Sequence, residues 1–133
     1  MQNDPTQWTS QMPFAALVGV EVSAASATEV NGRLEWQPER CTTDGILHGA
    51  ALMALADSLG AICAFLNVPP GAGTATIESK TNFFRAVRGG RVDATARPLH
   101  VGKSTVVVQT DLMDNEGRRV AQVTQTQAVL PPR

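Results

Sequence analysis

The chain has 133 residues, 43% of them hydrophobic and 17% charged, with 11 basic against 12 acidic side chains. That length suits one domain with a core of its own, able to fold without disulfides or a structural metal. A net charge of −1 argues against nucleic acid as a partner, since phosphate binding rests on excess positive charge, and no apolar run reaches the roughly 18 residues a membrane span requires.

Residues 1–13 are polar and are expected to be a loosely held segment ahead of a single domain over residues 14–133. The N-terminal stretch has neither a basic start nor an apolar run, so no secretory signal is expected. Cys41 and Cys63 make no disulfide framework and no CxxC pair, which predicts a reduced, cytoplasmic setting. From Phe14 the pattern turns apolar, and Leu17, Val18, Val20 and Val22 lead into a first predicted strand ending near Ala25. Glu29-Val30-Asn31-Gly32 reads as a hairpin turn, because Asn-Gly supplies the positive φ angles that tight turns need. Gly32 to Gln37 alternates, with Leu34 and Trp36 on one face of a second strand. Pro38, lacking an N–H, stops it.

Gly49 to Leu66 (GAALMALADSLGAICAFL) is the one long helical segment, rich in Ala, Leu and Met. It is apolar almost all round, with Asp57 and Ser58 as polar exceptions, which predicts a helix buried on every side. Met53 and Phe65 are assigned to the core, and Cys63 to packing. Pro69-Pro70-Gly71 ends the helix. Four strands follow, Ala75–Phe84, Arg91–His100, Thr105–Met113 and Arg119–Leu130. Val106, Val108, Thr110 and Leu112 share one face, and Val107, Gln109 and Asp111 the other. Asp114-Asn115-Glu116-Gly117 is the turn before the last strand, with Arg118 and Arg119 beside it expected to be solvated. The order predicts an α+β fold, an antiparallel sheet wrapped around one long central helix. One sheet cannot cover a helix that is apolar all round, so an obligate homo-oligomer is expected, with a dimer as its minimal unit.

The chemistry concentrates where Asp44-Gly45-Ile46-Leu47-His48-Gly49-Ala50 runs into that helix. A helix start leaves N–H groups without partners and carries partial positive charge, and glycine lets a ligand atom approach the backbone. Such a tip can hold the oxygen of a polarised carbonyl, although by itself it reads equally as an ordinary loop-to-helix junction. Asp57 adds weight, because a carboxylate in an apolar helix is costly unless paired or functional, and burial makes it a plausible base or nucleophile. A self-satisfied Asp, bonded to a backbone or hydroxyl partner, is the alternative. Gly49 and Asp57 lie about 12 Å apart along one helix. If both act on one carbonyl, Gly49 of one subunit must meet Asp57 of another.

The residues His48-Gly49-Ala50, Leu55-Ala56-Asp57-Ser58, Thr76-Ile77-Glu78-Ser79-Lys80-Thr81-Asn82-Phe83 and Leu99-His100-Val101-Gly102-Lys103-Ser104 resemble the hotdog-fold acyl-CoA thioesterases. The branch most resembled is that of the phenylacetate-degradation (PaaI-like) and 4-hydroxybenzoyl-CoA thioesterases, over Phe14 to Leu130. The resemblance implies hotdog dimers, commonly paired into tetramers, with active sites at the subunit interface. It gives Gly49 the oxyanion-donor role, with His48 shaping the loop, and Asp57 the catalytic carboxylate. Thr76 falls where some members place a hydroxyl that positions water. Phe83, Arg85, Arg88 and the turn His100, Gly102, Lys103 and Ser104 would meet the CoA moiety, Lys103 as a point charge for phosphate. CoA is then part of the substrate and no separate cofactor or metal is expected.

One position departs from the pattern. Many relatives carry Asn or Gln six residues before the His, and here that residue is Thr42, beside Thr43. The resemblance implies hydrolysis of an acyl-CoA to acid and free CoA. Two rival readings are a hotdog hydratase or dehydratase, disfavoured by the absence of histidine within Gly49–Leu66, and a non-catalytic acyl-CoA binding protein, which the Thr42 departure keeps open.

Overall fold

The computed structural model describes residues 6–133. Among these residues, three α-helices, α1 (Thr6–Ser10), α2 (Pro13–Val18) and α3 (Gly49–Phe65), accompany six strands, β1 (Glu21–Ala25), β2 (Val30–Glu35), β3 (Gly73–Phe83), β4 (Arg91–Val101), β5 (Thr105–Asp114) and β6 (Arg119–Leu130). All strand pairs are antiparallel, in the order β1-β2-β4-β5-β6-β3. α3 packs on one face of the sheet, as the element order predicts. Val106, Val108, Thr110 and Leu112 do share the buried face. Leu34, Leu55, Leu59 and Leu112 are fully buried between the two layers. Each such side chain contributes about 1.5–3 kcal/mol on leaving water.

The N-terminal region differs from expectation. The predicted first strand is split, because Phe14–Val18 is helical. Pro13 starts α2 at a position where its missing N–H costs nothing, and Gly19 ends it in the left-handed region (φ 102°), donating to the carbonyls of Ala15 and Ala16. Residues 1–5 of the loosely held segment lie outside the described residues, but residues 6–10 form α1. Its Trp8 packs edge-on against Phe65 at 6.2 Å.

The first hairpin turn is also displaced. Asn31 and Gly32 lie inside β2 without positive φ, and the turn is Ser26–Glu29, closed by Ser26 N–H donating to Glu29 O at 2.9 Å. Gly32 is there for space. A Cβ would stand 2.6 Å from the Glu21 carbonyl oxygen and 2.9 Å from Leu59 Cδ2. Gly32→Ala is expected to destabilise the fold by about 1–3 kcal/mol through overpacking, read as a lowered midpoint in urea unfolding.

The helix α3 also departs from expectation. It is not buried on every side, since one sheet covers one side only. Ala50, Met53 (43% exposed) and Asp57 form an open stripe along α3, and Phe65 is 48% exposed at its end. Met53 and Phe65 are therefore not core residues. The neighbouring β3 is an edge strand exposed over residues 75–80. Arg118 and Arg119 are not simply solvated either. Arg118 pairs with Asp114 and Glu116, and Arg119 with Asp111.

Candidate active site

The loop before α3 is fixed by unusual backbone. Asp44 (φ 63°) and Gly45 (φ 68°) are both left-handed, a conformation with a steric cost for Asp. Two donors hold it: Trp36 Nε1 donates to Gly45 O at 3.0 Å and Arg88 to Asp44 O at 3.2 Å. Leu47 N–H then donates to Val87 O, and His48 N–H to Arg40 O. The chain enters the helix pinned from both sides.

At the tip, His48 is the N-cap. Its Nδ1 accepts from Ala50 N–H at 2.9 Å, and its carbonyl accepts from Ala51 N–H at 2.9 Å. Among the described residues, the Gly49 N–H alone of the first three helical amides has no acceptor. A helix with an apolar N-terminus thus keeps one donor pointed outward, in the positive end of its dipole. The Phe83 ring lies over Gly49, 3.2 Å from where a Cβ would be. Thr42, Gly49, Leu52, Phe83 and Arg85 line one cleft of about 320 Å³. On the other flank, Phe14, Leu17, Val18, His48 and Ala50 line a groove of about 500 Å³.

Asp57 lies two turns on, at the open stripe. Although part of its surface is exposed in the single chain, desolvation by the surrounding wall pushes its carboxyl above the ordinary range, and a hydrogen bond from Gln125 pulls the other way. Gln125 Nε2 donates to Asp57 Oδ1 at 3.4 Å, and Gln127 Nε2 donates to Thr76 Oγ1 at 2.8 Å. β3 is bulged at Ile77. Thr76 pairs with Gln127 and Ser79 with Gln125, so the extra residue brings both onto the helix-facing side. Gln125 and Gln127 are two residues apart on one face, about 7 Å. Asp57 and Thr76 are thereby tied to neighbouring glutamines on one face of β6.

Neither glutamine is among the site residues expected from the sequence. The signal was present: Val123, Gln125 and Gln127 continue the inward-facing alternation of β6, where buried amides demand partners.

The structure does not gather every predicted site residue. Phe83, Arg85 and Arg88 lie at the end of the sheet that carries Gly49. His100, Gly102, Lys103 and Ser104 form the β4–β5 turn at the other end, since Thr105 is level with Ala75 and Leu112 with Phe83 through the β6 register. That separation is about 26 Å along β3. Arg88 is occupied with Asp44 O, and His100 packs back on its own turn at Gly102. Cys63 is buried with its thiol pushed up to about 11, which removes thiolate chemistry at neutral pH.

Comparison with known proteins gives a consistent picture. A family model described as the thioesterase superfamily matches residues 44–121, a stretch that includes Gly49 and Asp57. The chain is 34% identical over 86 residues to 1,4-dihydroxy-2-naphthoyl-CoA hydrolase of Escherichia coli, covering 65% of this chain and 63% of that protein. It is 35% identical over 75 residues to the proofreading thioesterase EntH of Cronobacter sakazakii, covering 56% and 55%. The chain thus spans less than two thirds of the length of these relatives. A mutant thioesterase from Pseudomonas aeruginosa superposes with a TM-score of 0.91 at 28% identity, over 98% of this chain and 96% of that one.

Proposed function

This chain belongs to the thioesterase superfamily, and on that premise we propose that it hydrolyses an acyl-CoA to a carboxylic acid and free CoA in a site shared by two copies of the chain. The observation that carries this reading is the unpaired Gly49 N–H at the tip of a helix whose open stripe also carries Asp57. Two groups about 12 Å apart on one helix cannot serve one carbonyl. The exposed β3 edge and the apolar stripe beside it are surfaces that a second copy would cover, since a long open edge invites strand pairing. An antiparallel partner brings its own Asp57 to Gly49, and its β4–β5 turn toward Phe83 and Arg85.

The thioester oxygen rests on Gly49 N–H, where charge develops as the carbonyl becomes tetrahedral. Asp57 either takes a proton from water as it attacks, passing it to the departing CoA thiolate, or attacks the carbonyl itself, giving an anhydride that water then opens. Either route breaks one C–S bond and forms one C–O bond. Single-turnover hydrolysis in heavy-oxygen water tests for the anhydride. Label delivered to Asp57 marks an anhydride opened at its aspartyl carbonyl, whereas label confined to the acid marks direct water attack or opening at the acyl carbonyl.

Thr76, held by Gln127, positions the water, and Thr42 occupies the cleft where many relatives have an amide. The name of the Escherichia coli relative, a dihydroxynaphthoyl-CoA hydrolase, and the PaaI-like resemblance support an aryl acyl group. CoA is part of the substrate, no cofactor is required, and the setting is cytoplasmic, with dimers paired into tetramers. Thiol release across phenylacetyl, hydroxybenzoyl, short-chain and medium-chain CoA esters tests the reading. Hydrolysis of at least one aryl ester is expected. Tight binding with no release over the whole panel overturns it.

The rate is expected to fall on acidification. Catalysis by either route needs ionised Asp57, and its carboxyl is held above the usual carboxylate range by desolvation. The acid limb of kcat/KM should therefore sit at a higher pH than an ordinary aspartate gives.

A further inference from the structure

We propose that Gln125 is the positioning residue for Asp57, and that Gly60 is glycine because the Gln125 amide must lie across the helix at that point. This inference rests on the functional reading above. Three observations meet here. Gln125 is fully buried, its Nε2 reaches Asp57 Oδ1, and its Oε1 has no partner. Leaving a buried amide oxygen without a partner is destabilising, because its lost hydration is not replaced. A residue selected for stability alone would be apolar there, flanked as it is by Val108 and Val123 in the core. Gly60 is the second oddity, since glycine inside a helix is destabilising relative to alanine. A Cβ on Gly60 would overlap Gln125 Oε1. One arrangement accounts for both costs. The amide bridges one turn of α3, with its donor on Asp57 and its acceptor lodged against Gly60. Both glutamines of β6 lie beyond the residues 44–121 that match the family model.

Among the described residues, Gln125 is the one specific hydrogen-bonding influence on that carboxylate. Thr110, Val123 and Gln127 face α3 from β5 and β6, and Ser79 and Thr81 from β3. Glu78 and Lys80 lie on the other face of β3 by the register. The helix-facing rows of β2 and β4 (Val30, Gly32, Leu34; Val92, Ala94, Ala96) carry no titratable group. Neither do α1 and α2, and the buried Cys63 thiol is the only other such group on α3 within two turns of Asp57.

Gln125→Met keeps the volume and removes the donor, and it also removes the unpaired oxygen, so folding should survive. The expected result is a kcat lowered about 10-fold with KM nearly unchanged. The acid limb of kcat/KM should move to higher pH, because the amide favours the charged carboxylate. A carbon-13 NMR titration of the Asp57 carboxyl should show the same upward movement without substrate. Gly60→Ala should produce that movement by displacing the amide, and should have no further effect in a Gln125→Ala background. An unmoved carboxyl midpoint and unchanged kcat in folded Gln125→Met overturn the proposal. The NMR readout keeps the two inferences apart. A moved midpoint together with full hydrolysis by Asp57→Asn removes the functional reading but leaves the contact standing.

Discussion

Replacing Gly49 by proline is expected to lower kcat by about 10²–10³-fold, the loss typical of one oxyanion donor, while Gly49→Ala loses far less. The pair isolates a single N–H. Gly49 is the first helical residue, where proline is well tolerated. His48 already has the extended conformation (φ −64°, ψ 135°) that a residue before proline adopts. Alanine and proline both place a Cβ about 3.2 Å from the Phe83 ring, so that crowding is common to the two variants and cancels in the comparison. What differs is the N–H itself, which proline replaces with its ring Cδ. Equal activity in the two folded variants would remove the Gly49 N–H from the mechanism.

Asp57→Asn is expected to cut turnover by about 10²-fold or more, with the fold intact or slightly strengthened. The sign follows from linkage. The carboxyl is raised in the folded chain, chiefly by desolvation, so the native state holds its proton more tightly than the unfolded state does. Stability then declines as pH rises through the window between the ordinary carboxylate value and the higher folded value. A neutral amide removes that decline, so the variant should unfold no earlier than the wild type at neutral pH. Loss of activity with retained thermal midpoint therefore marks a catalytic role. Mixing this variant with Gly49→Pro tests the shared site directly. Each mixed dimer regains one intact site, with Gly49 from one protomer and Asp57 from the other. Random reassortment of equal amounts should restore about one quarter of wild-type activity. No recovery from a mixture shown to exchange subunits would sink the two-subunit arrangement.

These expectations join parts of the molecule that were unequally legible in the sequence. The long helix and five of the six strands follow from hydrophobic period and turn residues, within a few residues of their ends. The tip is also local. His48 caps and Gly49 follows because helix starts obey short-range rules. The errors fall where a local signal had two outcomes. Asn31-Gly32 is a strong turn pair, yet tertiary contact with Leu59 and the Glu21 carbonyl uses Gly32 for its missing side chain instead. Phe14–Val18 is apolar enough for a strand, but Pro13 and Gly19 bound a short helix.

The sequence by itself determined the α+β architecture, the donor at the head of α3 and the isolation of Asp57 within an apolar run, because each depends on residues a few positions apart. Only the tertiary structure decided that β3 leaves its neighbour β4 to pair with β6. That pairing sets Gln125 under Asp57 and Gln127 under Thr76, with sequence separations of 68 and 51. It also parts Arg85 from the His100–Ser104 turn and leaves one side of α3 uncovered. Strand order and register are fixed by the summed packing of the whole sheet against the helix, and no window of the chain carries that sum.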